Sequence, residues 1–400
     1  KTNSGALVTW ATAIITPGGL TVDAGAGKIL FDAWYNGSSI GGPMEFNAWG
    51  GTTSYKSSST ADDSIKFMVH STTKVTNMWG ANAGTTLTNT NGGGVLIQAD
   101  GIEDSLKVQF NTTGKVAVEP YGGTSWVTTP NFDSDYSFVT SNPSLVRFGK
   151  DGATGSTNVG GGISIPAPTE VYGTDITTNG NLTVTTSGSK LLLKATNQVT
   201  TSAGTAGTIQ TNNGPITLWS DADKVSGAAS NGGNIFINTS TTIKSQGGNI
   251  TMAGGLDDGG TDSGLTTAAG YLTRTAGDGI PDGYAKGSNS GADSTGSDGV
   301  YLAGSHLIYS AGGNVFMAGW GSSRTSPAVQ ETGIQSFNGT VDSGTGLLYA
   351  VGKATGTACG SHGIYTNAVS AGTVAPDVWT SANTTANAIR MLGDASTATG

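Results

Sequence analysis

The chain has 400 residues, of which 65 are Gly and 11 Pro, and charged residues make up only 11%. Its 18 Lys+Arg against 27 Asp+Glu leave a net charge of -9. An acidic surface repels phosphate backbones, so no nucleic-acid partner is expected. There is no apolar run long enough to span a bilayer and only one Cys, Cys359, so no membrane span and no intrachain disulfide are expected. A Gly-, Ser- and Thr-rich chain is at risk of disorder, but 36% hydrophobic residues, with 8 Trp, 11 Tyr and 10 Phe, supply material for a core.

The first 145 residues are irregular. They hold five of the Trp residues (10, 34, 49, 79 and 126) and long polar insertions such as Ser54–Asp63. Short alternating runs still recur, as in Leu20-Thr-Val22, Lys28-Ile-Leu-Phe31, Val95-Leu-Ile97, Val108-Gln-Phe110 and Val116-Ala-Val118. Gly or Asn-Gly turns bound them, which marks strands. Residues 1–145 are expected to form irregular, Trp-rich solenoid coils, with a separate β domain, such as a sandwich, as the alternative. Residues 146–400 continue with Leu182-Thr-Val184, Ile235-Phe-Ile237 and Val315-Phe-Met317. Apolar residues rarely recur at three and four, so helices are not expected.

Internal repeats choose among all-β architectures. Ile209-Gln-Thr-Asn-Asn-Gly-Pro-Ile216-Thr-Leu218, Ile243-Lys-Ser-Gln-Gly-Gly-Asn-Ile250-Thr-Met252 and Ile308-Tyr-Ser-Ala-Gly-Gly-Asn-Val315-Phe-Met317 share one spacing. Each has an apolar residue, another seven later and a third two beyond, with a Gly-containing turn between. Ile334 to Val341 repeats the first half, and Ile176-Thr-Thr-Asn-Gly-Asn-Leu182-Thr-Val184 repeats it with one turn residue fewer. The starting Ile residues lie 33 (209−176), 34 (243−209), 65 (308−243) and 26 (334−308) apart. The 65 reads as two units. One such unit cannot bury its apolar row alone, whereas a stack can. The expected fold is all-β: a right-handed parallel β-helix (β-solenoid) with decorating loops. Coils of about 20–33 residues would make a rod of roughly 60–95 Å at the strand spacing of ~4.8 Å. Asn234, Asn249 and Asn314 are expected at corners, bonding amides up a ladder, with Gly233, Gly248 and Gly313 easing the turn.

From Leu145 the sequence resembles the repeat regions of filamentous-haemagglutinin-type giant bacterial surface adhesins. The phrases that carry this are Val146-Arg-Phe-Gly-Lys-Asp-Gly-Ala-Thr154, Val171-Tyr-Gly173 and Leu191-Leu-Leu-Lys-Ala-Thr-Asn197, then Ile216-Thr-Leu-Trp-Ser-Asp-Ala-Asp223 and Gly247-Gly-Asn-Ile-Thr-Met-Ala-Gly-Gly255. It spans about Leu145 to Val351. It implies a right-handed parallel β-helix, export to the cell surface, and adhesion or fibre building. The family's Asn-Pro-Asn-Gly or Asn-Pro-Asn-Leu export signature is not matched, because Asn142-Pro143 is followed by Ser-Leu. Lys1 is not a translational start, so the chain is read as a processed product or a piece of a longer one.

Little in the sequence suggests catalysis, and no catalytic, cofactor-binding or metal residue is assigned. The three His residues, 70, 306 and 362, show no metal-type or triad-type spacing. Cys359-Gly-Ser-His362 is expected to be a small corner Cys beside an unrelated His. Leu256-Asp-Asp-Gly-Gly-Thr-Asp262 and Asp278-Gly-Ile-Pro-Asp282, with Asp293 and Asp298, offer oxygens for Ca²⁺ but match no calcium-loop spacing; solvated carboxylates are the plainer reading. Asp221-Ala-Asp223 is expected to cap a corner. Asp257, Asp258 and Arg274 are the groups that a polysaccharide lyase or hydrolase on such a fold would use. Trp34-Tyr35, Trp79 and Trp320 could stack on sugars, or simply cover coil faces.

The expectation is therefore a non-enzymatic, structural or adhesive segment of a secreted bacterial surface protein. It would form a stiff rod or extracellular fibre through self-association into filaments or continuation into further repeats. A glycan-binding adhesin that contacts a host or neighbour cell surface, and then a β-helix lyase, are the alternatives.

Overall fold

The computed structural model describes residues 5–11, 14–16, 18–35, 44–46, 51–71, 78–80, 84–102, 107–121, 125–126, 129–139, 142–223, 233–260, 265, 274–287, 297–322, 331–354, 361–367, 377–385 and 387–395. These residues are built from strands, with no α-helix among them. Adjacent strands within each sheet run parallel, stacked coil on coil as in a parallel β-solenoid. Two compact units form: residues 1–174 with 182–186, and residues 175–181 with 187–400. The division falls near 175–187, whereas composition changes at about 145.

In the second unit each coil passes through three faces. The first face stacks Leu191–Ala195, Ile216–Ser220, Ile250–Gly254, Val315–Gly321, Leu348–Ala354 and Ile389–Asp394. The second stacks Ile176–Asn179, Val199–Thr201, Ile235–Ile237, Val300–Leu302, Thr332–Phe337 and His362–Asn367. The third stacks Thr208–Thr211, Thr242–Lys244, Leu307–Tyr309, Thr340–Asp342 and Val378–Thr380. Alternate residues point inward, so equivalent apolar side chains lie one above another. Ile209 pairs with Ile243, Ile243 with Ile308, and Ile308 with Val341.

The register corrects two parts of the repeat reading. The 65-residue interval is one coil, not two, because Ile243 pairs directly with Ile308 and Ile250 with Val315. The extra length is an excursion that leaves the first face at Gly254. It closes on itself through a Gly254–Gly283 bridge and adds Ala285–Lys286 beside Gly319–Trp320. The second correction concerns Ile176 and Ile334. Both belong to the second face, where Ile176 pairs with Val199 and Ile334 with Val300. The strand, corner, strand phrase thus occurs at two corners of the coil. The third-to-first-face step is seven residues at Ile209, Ile243 and Ile308, whereas the second-to-third-face step varies and comes to six at Ile176 and seven at Ile334.

The corner after the third face is built from Ser, Thr, Asn and Gly. Thr211, Ser245, Ser310 and Ser343 each donate a hydroxyl hydrogen bond to the Gly carbonyl three residues on. The Asn249 side chain accepts from the Asn314 amide at 2.9 Å, and that of Asn314 from the Leu347 amide at 2.8 Å, which is the expected ladder. Left-handed angles fall instead on Asn213, Gln246 and Ala311. Corner glycines are needed for closeness between coils: a Cβ on Gly248 would lie 2.1 Å from the Gly214 carbonyl oxygen, and one on Gly313 2.0 Å from that of Gly248.

In the first unit the first face stacks Leu7–Ala11, Ile29–Tyr35, Ile65–Ser71, Val95–Ala99, Lys115–Glu119, Leu145–Phe148 and Thr169–Gly173. Coil lengths along it range from 21 (116−95) to 36 (65−29) residues. A second parallel sheet runs through Thr21–Asp23, Thr53–Ser57, Thr85–Asn89, Val108–Asn111 and Tyr136–Phe138. Adjacent strands in these stacks run parallel, whereas those of a sandwich would be antiparallel. Ser54–Asp63, expected as a polar insertion, supplies the strand Thr53–Ser57. There Tyr55 is wholly buried, edge-on to Phe31 and Phe67, with ring centroids at 5.4 and 5.1 Å.

Ile250 lies at the centre of the second unit's apolar stack, fully buried between Ile216 and Val315. Ile250→Asp places an unpaired carboxylate there and is expected to cost about 4 kcal/mol or more. Thermal melting followed by circular dichroism measures this; a variant that melts like the parent would put Ile250 on the outside.

Candidate binding surface

The residues with acid, base or metal-binding chemistry are mostly committed to holding the chain. Asp257 accepts hydrogen bonds from the amides of Gly277, Asp278 and Gly279 at 2.7, 3.3 and 2.7 Å. Asp258 accepts from Gly260, Asp278 from Ile280 and Asp282 from Gly259. Asp298 accepts from the Thr332 amide. Carboxylates engaged this way close the excursion's turns. Asp262 and Asp293 lie outside the described residues, and so does Cys359. Among the described residues no group of three or more His, Cys, Asp or Glu could hold a metal ion.

Arg274 sits against the outer side of the first face. Its guanidinium lies 4.9 Å from the Phe316 ring centroid and 3.7 Å from Asp282. Burial pushes the Arg274 guanidinium down and the Asp282 carboxyl up, each opposed by the other's charge. Leu265 and Tyr284 pack beside it on Ala253, Phe316, Ala318, Tyr349 and Val351. The excursion therefore covers the first face from outside. Strands such as Ile250–Gly254 are buried at every position, whereas Val199–Thr201 keeps the alternating pattern of a one-sided sheet. Asp257 is thus committed to the amides of residues 277–279, while Arg274 pairs with Asp282 and also feels the charge of Asp258. Asp221 sits buried at the corner beyond Trp219 with a left-handed φ of 52°, as a corner residue should.

The His residues are dispersed. His306 is buried in a corner, with Nδ1 2.8 Å from the Ala303 carbonyl and Nε2 3.4 Å from the Ser336 hydroxyl. His362 stacks on Tyr365. His70 belongs to the surface described next.

On the outer side of the first unit's first face, side chains in phase with Leu30 form two neighbouring rows. Trp10 pairs in register with Asp32, Asp32 with Met68, and Met68 with Gln98. Two residues further along the strands, Trp34 pairs with His70. The Trp34 ring lies 4.4 Å from that of His70 and 6.4 Å from that of Tyr121, and Tyr121 lies 4.6 Å from His70. Asp100 places Oδ2 3.1 Å from His70 Nδ1. Glu119 accepts from Gln98 at 2.8 Å and Arg147 at 2.6 Å. Trp10 remains 76% exposed and Trp34 52%. The sequence singled out Trp34 but missed Trp10, His70, Asp100 and Tyr121. Strand phase was the available signal for Trp10, which shares the outward phase of Val8.

The other aromatic candidates differ. Trp320 stands between Lys286 and Lys353, whose ammonium groups lie 5.3 and 4.1 Å from its ring centroid. Trp219 is buried and donates to the Gly255 carbonyl, under Lys194. The backbone around Trp79 forms a short strand, Met78–Gly80.

The class defined by fold and surface is an all-β protein of stacked parallel coils with aromatic residues on an outer face. No family model matches the sequence, and neither a curated protein nor a solved structure matches it.

Burial holds the His306 imidazole below its ordinary range, against the Ala303 carbonyl and the Asp377 carboxylate, which favour its protonation. The unfolded chain, with a pKa of about 6.5, takes up the proton first as pH falls. Stability is therefore expected to rise with pH below about 6.5 and level off above it. Urea unfolding at stepped pH should show this rise reduced in His306→Gln; an identical slope in both proteins would contradict the assignment.

Proposed function

We propose that this chain is a structural and adhesive segment of a secreted bacterial surface protein, built to be extended coil upon coil into an extracellular fibre. The observation that carries this is the last coil of the second unit. Ile389 and Met391 occupy the same inward rows as Leu348 and Ala350, yet each is 40% exposed. In the last described coil these inward rows thus present apolar side chains to solvent. Such an edge favours another coil, from further chain or from a second copy.

The corner ladders support the same reading. The Asn and Gly contacts are formed between equivalent positions, so a coil with the same corner can be added without a new kind of contact. The likeness of residues 145–351 to adhesin repeats agrees with a surface role, and stiff coils with variable excursions suit display of binding surfaces.

The test is negative-stain electron microscopy of the purified chain, with sedimentation across a concentration series. Filaments or concentration-dependent end-to-end association are expected, and both should be suppressed by Ile389→Lys with Met391→Lys. A monodisperse monomer at every concentration, unchanged by those substitutions, would refute the proposal.

A further inference from the structure

We propose that the outer side of the first unit's first face is a binding platform for a neutral pyranose chain, with Trp10 and Trp34 as its stacking rings. This rests on the adhesive half of the function proposed above and assigns it a ligand class and a place.

The two rings are anomalous for side chains without a task. Of the other Trp side chains described in detail, Trp126 and Trp219 are buried, Trp320 is flanked by two lysines, and Trp379 is half-buried on the inward row of Val341. Trp10 and Trp34 stand on neighbouring coils of one sheet, with Val8, 48% exposed, on the same side as Trp10. Adjacent exposed apolar groups of this size mark binding surfaces. One strand spacing of ~4.8 Å and two residues of ~3.3 Å each place their backbones about 8 Å apart. That separation lets the rings cover two sugars of one extended chain.

The platform is held in shape. Trp34 leans on His70, and Tyr121 packs on His70 and edge-on to Trp34, so the three rings form one cluster that backs the Trp34 ring. A preorganised ring loses little freedom on binding.

The chemistry around the rings selects the ligand. Asp32 pairs in register with Trp10 and lies two residues before Trp34; its Oδ1 is buried with no hydrogen-bond partner among the described residues. Asp100 and Glu119 lie along the same outer side but are buried, Asp100 against His70 and Glu119 beneath Gln98 and Arg147, so they set the charge under the surface rather than offer open acceptors. Carboxylates so placed repel uronates and sulfates. Of the outward cations of this face, Arg147 is held by Glu119, Lys66 stands on the row of Leu30 and Leu96, two residues before that of Asp32, and Lys115 pairs with Leu145, so none falls in the rows of Trp10 or Trp34. A pyranose with equatorial hydroxyls has a flat C–H face to lay on an aromatic ring and carries no charge for the carboxylates to repel. A lipid surface would find neither the cations nor a broad apolar face here.

The test screens the full chain on an array that holds cello-, chito-, manno- and galacto-oligosaccharides beside uronate and sulfated polymers. Binding partners are then titrated by calorimetry and Trp fluorescence. Saturable binding to at least one neutral oligosaccharide is expected. Trp10→Ala and Trp34→Ala should each weaken it roughly tenfold, the scale of one lost stacking contact. Trp34→Tyr should retain most of it, and Trp320→Ala should leave it unchanged. Should Trp34→Ala melt early, Trp10→Ala and Trp34→Tyr still decide. No neutral glycan bound, acidic polymers bound in preference, or affinity indifferent to Trp10 and Trp34 would each overturn the platform. Filament formation is scored separately in Ile389→Lys/Met391→Lys, which lacks the polymerising edge but keeps both rings, so either proposal can fail alone.

Discussion

Everything in this protein depends on one constraint: a coil of parallel strands has no core until another coil lies on it. Ile209, Ile243 and Ile308 each contribute little alone, and stacked in register they form a continuous apolar column. Backbone hydrogen bonds between coils bring the columns to strand spacing, and that closeness in turn dictates the corners. Only glycine fits where the Gly313 Cα approaches the Gly248 carbonyl. Hydroxyl and amide side chains next to it satisfy the polar groups the turn leaves inside. Composition follows from this geometry. A chain rich in Gly, Ser, Thr and Asn is what a stack of tight corners requires.

Variation then goes where the stack tolerates it. The excursion after Gly254 adds about thirty residues to a coil without disturbing the rows on either side. It has a small core of its own on Phe316, Tyr349 and Val351, and its carboxylates are spent on its own turns. In the first unit coil lengths vary too, and among the described residues the outer face leaves Trp10 and Trp34 exposed. A rigid inner stack with a differentiated outer side is a natural division between building and binding.

Much of the fold was legible in the sequence because the inward rows repeat nearly the same residue type. The phrases from Ile209, Ile243 and Ile308 stack as their spacing implied. Ile176 and Ile334 misled because the variable corner between the second and third faces comes close to that spacing at these two coils, and spacing alone does not say which corner is meant. The 65-residue interval misled because an inserted excursion and a missing repeat look alike in one dimension. Ser54–Asp63 read as loop because Thr53, Tyr55 and Ser57 point inward with polar atoms, yet Tyr55 fills the core as fully as any Phe. The outer platform was only half visible. Trp34 was conspicuous, but its contact with Tyr121 joins residues 87 (121−34) apart and depends on the stack.

The register itself is the central claim, and the coil that contains the excursion tests it most directly. In a Cys359→Ser background, Lys244→Cys and Tyr309→Cys place two outward thiols on paired strands. Paired positions on adjacent strands lie ~4.8 Å apart, within disulfide reach. Mild oxidation followed by non-reducing electrophoresis and peptide mapping should show an efficient 244–309 crosslink. Were an intervening coil present, the thiols would stand ~9.6 Å apart and stay reduced, which would contradict the single-coil register.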